Sequence, residues 1–203
     1  MEFAFTDLLN SDWHDYRGSG RTEDRLERPG FVEGFLKAWG LPQPTPIEQP
    51  QREALRSLRT LLRRMTEAVI AGGEPSPDDI SALNSVLAAA PETRVLMRTG
   101  REVFGRPGAD DQGHGAGESV AKGYELRRVP LTEGWEAVTA AIAASFADVL
   151  ANRDPRRLRI CENPDCGWFF YDESHGHTRR WCQDDTCGNL MKVRRFRARN
   201  RKR

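Results

Sequence analysis

Apolar residues recur along this chain at helical steps in several stretches and at strand-like steps in a few short ones. The clearest run is Leu55, Leu58, Leu62, Met65 and Val69, spaced three and four apart, with Arg52, Arg56, Arg59 and Arg63 on the other side. It predicts a helix that ends at Gly72-Gly73, with the arginine row as a solvated outer face and a nucleic-acid role there as the lesser reading. Phe31, Phe35, Leu36 and Trp39 predict a shorter helix stopped by Gly40. Ser76-Pro77 opens another, with Ser76 as N-cap, Pro77 in the first turn and Asp79 in the capping-box position. Its inner face would carry Ile80, Leu83 and Leu87, and Pro91 closes it. Trp135, Val138, Ile142, Phe146 and Val149 predict a long helix from Pro130-Leu131-Thr132 to about Asn152. At the start, Phe3, Phe5, Leu8, Leu9, Trp13 and Tyr16 fit a short amphipathic helix over residues 3–16.

The strand-like stretches are Thr93–Arg98 and Tyr124–Val129, read as a β-hairpin. The Gly-rich segment 105–123, which includes Asp110-Asp111 and His114, buries little apolar surface and reads as a loop. So does the polar stretch 17–28, while Pro42, Pro44, Pro46 and Pro50 form an extended connector. Near the C-terminus, Trp168-Phe169-Phe170-Tyr171 reads as a strand, expected to pair with the segment leading to Arg180-Trp181. Gly188-Asn189 then offers a turn and an N-cap for a helix running to the end, with Leu190, Val193 and Phe196 three apart on one side, facing the hairpin.

Charge sharpens this division. The net charge of +1 hides 14 Lys+Arg against 7 Asp+Glu from residue 150 onward, and 17 against 23 before it. An acidic body with a basic end points to a polyanionic partner for that end. The last fifteen residues hold Lys192, Arg194, Arg195, Arg197, Arg199, Arg201, Lys202 and Arg203, and no acid. The bland alternative is a basic tail that only improves solubility.

All four cysteines fall in this basic end: Cys161-x4-Cys166, fifteen residues, then Cys182-x4-Cys187. Two equally spaced pairs bring four thiolates to one point, the donor set of a structural zinc ion. A redox pair would need Cys-x-x-Cys beside a βαβ pattern, and neither is in the sequence. Met1–Phe5 leads directly to Asp7, with no basic start and no apolar run of signal-peptide length, and no segment approaches the roughly eighteen apolar residues of a membrane span. A reducing cytoplasm, where thiols persist, is therefore expected. Four thiolates leave no open position for catalytic water, and His175 and His177, between the pairs, are expected to stay off the metal.

The expected architecture is mainly α with a small β-hairpin (α+β) over residues 1–153. A treble-clef-like zinc finger ending in a basic helix follows over residues 154–203. The finger residues resemble the CGNR zinc finger of bacterial regulators: Cys161-x4-Cys166-Gly167-Trp168-x-Phe170, Asp172-x-Ser174, Arg179-Arg180-Trp181-Cys182, and Cys187-Gly188-Asn189 followed by Lys192 and arginines. The body is similar to the ABATE domain that precedes that finger, through Asp7-Leu8-Leu9-Asn10, Trp39-Gly40-Leu41, Leu83-Asn84 and Arg157-Leu158-Arg159. The resemblance implies a stress-induced transcription regulator of the bacterial cytoplasm, associated with the nucleoid. One departure stands out: Leu190 replaces the arginine that completes the family's name-giving motif. Zinc binding is expected to survive this change, and nucleic-acid affinity to be reduced or redirected.

Two functional classes follow. In the first, the protein is a DNA-binding regulator holding one structural Zn2+. Its phosphate contacts come from Lys192, Arg194, Arg195, Arg197, Arg199 and Arg201, with Arg179 and Arg180 on the finger hairpin, and its body dimerises or senses an effector. Six engaged cations predict a log–log salt slope of about −5. In the second, the finger is only structural and the body binds or converts a small molecule in a pocket lined by Trp13, His14, Trp39 and Trp135. No nucleophile–base pair, phosphate loop or carboxylate constellation supports catalysis, so no enzyme is expected.

Overall fold

The computed structural model describes residues 3–98 and 123–201. The chain gathers into two compact units, one formed by residues 1–90 with 132–203 and the other by 91–131. The architecture is mainly helical, with small antiparallel strand pairs.

Five helices build the body of the first unit: α1 (Ala4–Leu9), α2 (Phe31–Ala38), α3 (Gln49–Ile70), α4 (Pro77–Ala88) and α5 (Trp135–Asn152). Their apolar stripes meet in one core. Phe5, Leu8 and Leu9 of α1, Leu55, Leu62 and Met65 of α3, and Val138, Ile142, Phe146 and Val149 of α5 are essentially inaccessible. The rings of Phe5 and Phe146 meet edge-on at 5.2 Å. Each such side chain contributes about 1.5–3 kcal/mol by leaving water. Ser76 caps α4, its Oγ accepting the Asp79 amide at 3.1 Å. Asp79 does not complete a capping box, because its carboxylate takes the Arg64 guanidinium instead (Nε 2.9 Å). Of the expected α4 inner face, Leu83 is buried and Leu87 half-buried, whereas Ile80 is exposed.

The N-terminal expectation needs correcting. Helix α1 stops at Leu9, and Trp13 lies in β1 (Asp12–His14), which pairs antiparallel with β2 (Thr22–Asp24). The stretch read as a plain loop then makes one 3-10 turn, Arg25–Glu27, that seats Leu26 fully in the core. The arginine row of α3 explains both. Arg52 donates to the Leu26 carbonyl (3.1 Å), and Arg56 and Arg59 to the Asp24 carboxylate (2.9 and 2.8 Å). Arg59 also reaches Ser11 Oγ (2.7 Å), and Arg63 reaches Asp12 (2.9 Å). This row is therefore no solvated face; it clamps the acidic N-terminal segment. Periodicity identifies a polar face without identifying what covers it.

The finger completes the first unit. Strand β5 (Leu158–Ile160) pairs with β6 (Phe169–Tyr171), and α6 (Asn189–Asn200) follows a wide π-helical turn, Asp184–Gly188. The partner expected for β6, the segment before Trp181, is held elsewhere. Buried Asp172 accepts the amides of Ser174 (2.9 Å) and Arg179 (3.0 Å), so a carboxylate occupies donors that a strand ladder would have used. Leu158 and Phe169 join the body core, Tyr171 meets Phe3 edge-on at 5.4 Å, and Asn10 exchanges two hydrogen bonds with the Phe169 backbone (2.9 and 2.8 Å).

The second unit is the expected hairpin. Strands β3 (Glu92–Arg98) and β4 (Tyr124–Pro130) pair from Glu92↔Pro130 to Arg98↔Tyr124, and the Leu131 amide donates to the Pro91 carbonyl (2.8 Å) at its base. Leu96 and Leu126 are paired and exposed. Apart from Gly123, the segment read as a loop over 105–123 lies outside the described residues.

Candidate metal centre and basic helix

Each cysteine is delivered by a different local device. Cys161 follows β5, its amide donating to the Trp168 carbonyl (2.9 Å). Cys166 sits on a turn closed by its amide to Asn163 O (2.9 Å), and Gly167, at φ +66°, lets the chain reverse into β6. Cys182 follows buried Trp181, and Cys187 lies in the wide turn before α6. All four are buried and reduced, and their sulfurs lie within 4.8 Å of one another. Four zinc–thiolate bonds of about 2.3 Å place tetrahedral neighbours about 3.8 Å apart. Cys166 Sγ and Cys182 Sγ are 3.8 Å apart. The donor set and spacing thus fit one structural zinc ion, with the tetrahedron closed. His175 and His177 are not part of this cluster among the described residues.

Electrostatics point the same way. Hydrogen bonds from Cys166 and Cys182 pull Cys161 down to about 2. Cys166 is pushed up to about 12, by its bond to Cys161 and by burial, and Cys182 is pushed up by its bonds to Cys161 and Cys166 and by burial. Crowded sulfurs share negative charge only around a cation, which is the chemistry zinc supplies.

Residues not anticipated from the sequence orient the cysteines. Fully buried Asn163 donates through Nδ2 to Cys187 Sγ (3.3 Å) and to the Tyr16 carbonyl of the body (2.8 Å), while its Oδ1 accepts the Asp165 amide (3.3 Å). The Cys182 amide donates to Cys161 Sγ (3.5 Å). Phe170, Trp181, Trp168, Tyr16 and Met191 pack around the sulfurs. Gly188 fits closely there, since a Cβ would stand 3.0 Å from Trp181 and 3.2 Å from Asp184 and would press on both side chains. Gly188 is already helical, so α6 starts without the expected Asn189 cap.

The basic residues divide into two groups. Arg179 lies over the Phe170 ring (4.6 Å) and donates to the carbonyls of Trp181 (3.0 Å) and Cys182. Arg180 is bound to Glu162 (2.7 Å) and stacks on Trp181. Arg194 bridges Asp165 (2.6 Å) and the Arg17 carbonyl of the body (2.9 Å), fastening α6 to the first knuckle. Arg195 lies over Trp181 and donates to the Met191 carbonyl (3.3 Å). Lys192, Arg197, Arg199 and Arg201 are exposed, and among the described residues no carboxylate pairs with them. The apolar side of α6 also differs from expectation. Met191 faces the metal cluster, Leu190 is half-buried, and Val193 and Phe196 are exposed, Phe196 to 57%.

The four aromatic candidates for a body pocket do not converge. Trp13 and His14 line a cavity of about 200 Å3 beside the cysteines, together with Tyr16, Arg25 and Trp168. Trp39 packs on the core edge with its Nε1 donating to Asp7 (2.9 Å), and Trp135 begins α5, also against the core.

A four-cysteine metal knuckle with a cationic terminal helix, built into a helical body, defines a zinc-finger protein. The chain belongs to the ABATE family, whose model is described as "Putative stress-induced transcription regulator" and matches residues 4–153; residues 157–200 match the CGNR zinc finger. Neither family is described as one of enzymes. No curated protein matches the chain. No helix among the described residues is long and apolar enough to cross a membrane.

Proposed function

We propose that this protein is a DNA-binding transcription regulator in which the zinc knuckle holds α6 out as the reading element. The observation that carries the proposal is the sorting of cations on the finger. Arg179, Arg180 and Arg194 are tied to carbonyls or carboxylates, while Lys192, Arg197, Arg199 and Arg201 are exposed on one rigidly rooted helix. A solubilising tail has no need of that anchoring. Spacing of four and seven residues sets Lys192, Phe196 and Arg199 on one side of the helix. Cations beside an apolar ring suit a DNA groove, with phosphates at the margins and thymine methyl groups on its floor. Fastening to Asp165 and Arg17 makes Arg194 a positioning residue in this reading, and Arg195 joins the four unpaired cations at the phosphates.

Residues 1–153 serve in this proposal as the sensing or dimerising part, and residues 154–203 as the reader, in a cytoplasmic protein. The test is fluorescence anisotropy with duplex DNA, comparing the zinc-loaded chain with the triple variant Arg197→Ala, Arg199→Ala, Arg201→Ala. A loss of at least tenfold in affinity with unchanged zinc content supports the reading; equal binding by the two proteins contradicts it.

A further inference from the structure

A crevice of about 470 Å3 opens between α2 and the finger, lined by Phe31, Gly34 and Phe35 on one side and Trp168 on the other, with Arg25 and Asp7 supplying charge. Arg25 is its unusual member. Its guanidinium lies between the Trp13 and Trp168 rings, 5.6 Å from each centroid. Its Nε is buried without a hydrogen-bond partner, and among the described residues no carboxylate forms an ion pair with the group. The nearby acid, Glu23, is bound bidentately by Arg28 (2.8 and 2.5 Å). Burial, reinforced by the charge of Arg28, lowers the Arg25 pKa from its ordinary value. The group is thus half-buried, held on two indole faces, and lines this open space.

Gly34 is a second, independent observation. It stands in the middle of α2, where glycine costs about 0.5–1 kcal/mol relative to alanine. Outside its chain neighbours and the backbone of α2, no atom among the described residues lies within 4 Å of where its Cβ would stand, and its φ is not in the left-handed region. Neither packing nor backbone geometry therefore requires glycine. Gly34 lines the crevice, so any larger side chain there would take up part of its open space.

We propose that this crevice binds a small aromatic monocarboxylate, its carboxylate on Arg25 and its ring between Trp168 and the Phe31–Phe35 face of α2. Asp7, whose Oδ2 accepts the Trp39 indole N–H, also lines the crevice, and a single guanidinium suits one carboxylate rather than a multiply charged anion such as phosphate. Trp168 directly follows Cys166-Gly167, so an occupied crevice braces the first cysteine knuckle. The proposal deepens the reading of the body as a sensor, but its test needs no DNA.

The zinc-loaded full chain is titrated calorimetrically with benzoate, its neutral analogue benzamide, and inorganic phosphate, and zinc release to a chelator is timed with and without benzoate. Saturable benzoate binding, at least tenfold weaker binding of benzamide, no binding of phosphate and slower zinc release are expected. Two variants separate this from a merely structural role. Gly34→Leu narrows the crevice on its α2 side and is expected to melt no lower than the parent while losing at least tenfold in benzoate affinity. Arg25→Gln is expected to abolish the preference for benzoate over benzamide. Absence of benzoate binding, equal affinity for benzamide, preference for phosphate, or full binding by a folded Gly34→Leu protein each overturns the proposal. DNA binding by the same samples is scored separately, so failure of the crevice and failure of the reader remain distinguishable.

Discussion

Asn163 links the metal to the body through a single side chain, touching Cys187 Sγ with one amide hydrogen and the Tyr16 carbonyl with the other. Groups that orient metal ligands typically contribute 10–100-fold in affinity. Asn163→Ala is therefore expected to weaken zinc binding by one to two decades in a chelator competition, with the helical content of the body retained. Asp24 plays the comparable part on the other side. Burial raises its pKa, but hydrogen bonds from Arg59 and Arg56 outweigh this and bring it down to about 2. A carboxylate depressed in the folded state stabilises above its unfolded pKa of about 3.9 and loses that contribution as pH falls towards 2. Asp24→Asn is thus expected to cost about 2 kcal/mol at pH 7 in urea unfolding. The deficit should shrink as both proteins are compared through pH 4 and below. The four cysteines are legible in the sequence because their spacing is the signal. Asn163, Asp24 and Arg25 are not, because their roles depend on partners brought together only by folding, 147 residues away for Asn163 and Tyr16.

Among the elements, helices α2, α3 and α5 are legible because a 3.6-residue period sustained over two or more turns seldom arises in any other conformation, and the β3–β4 hairpin is legible from its short strand-like runs despite imperfect alternation. Short polar elements escape. Strands β1 and β2 are three residues each, and Leu26 is a lone apolar residue in a charged stretch. The extent of α6 is legible and its orientation is not, because the equal spacing of three apolar residues says nothing of the Trp181 and cysteine cluster, against which Met191 packs while exposed Arg195 lies over the Trp181 ring. That rotation leaves Phe196 outside. If Phe196 faces a groove, Phe196→Ala keeps the zinc content and melting temperature and lowers duplex affinity, with the salt dependence unchanged because no phosphate contact is lost. An equal loss of stability and affinity would instead make it a packing residue.

For the molecule, the finger and the helical body share a core: Leu158 and Phe169 are buried among body residues, and Arg194 ties α6 back to the Arg17 carbonyl. This mount fixes the root of α6, as the proposed reading of its cations requires. The most direct measurement is the salt dependence of duplex affinity with zinc-loaded and zinc-stripped protein. Five cations on phosphates, Lys192, Arg195, Arg197, Arg199 and Arg201, predict a log–log slope of about −4.5 for the loaded form. Stripping the metal should abolish specific binding and leave only weak, nonspecific association. A flat salt dependence, or equal affinity with and without zinc, would contradict the account.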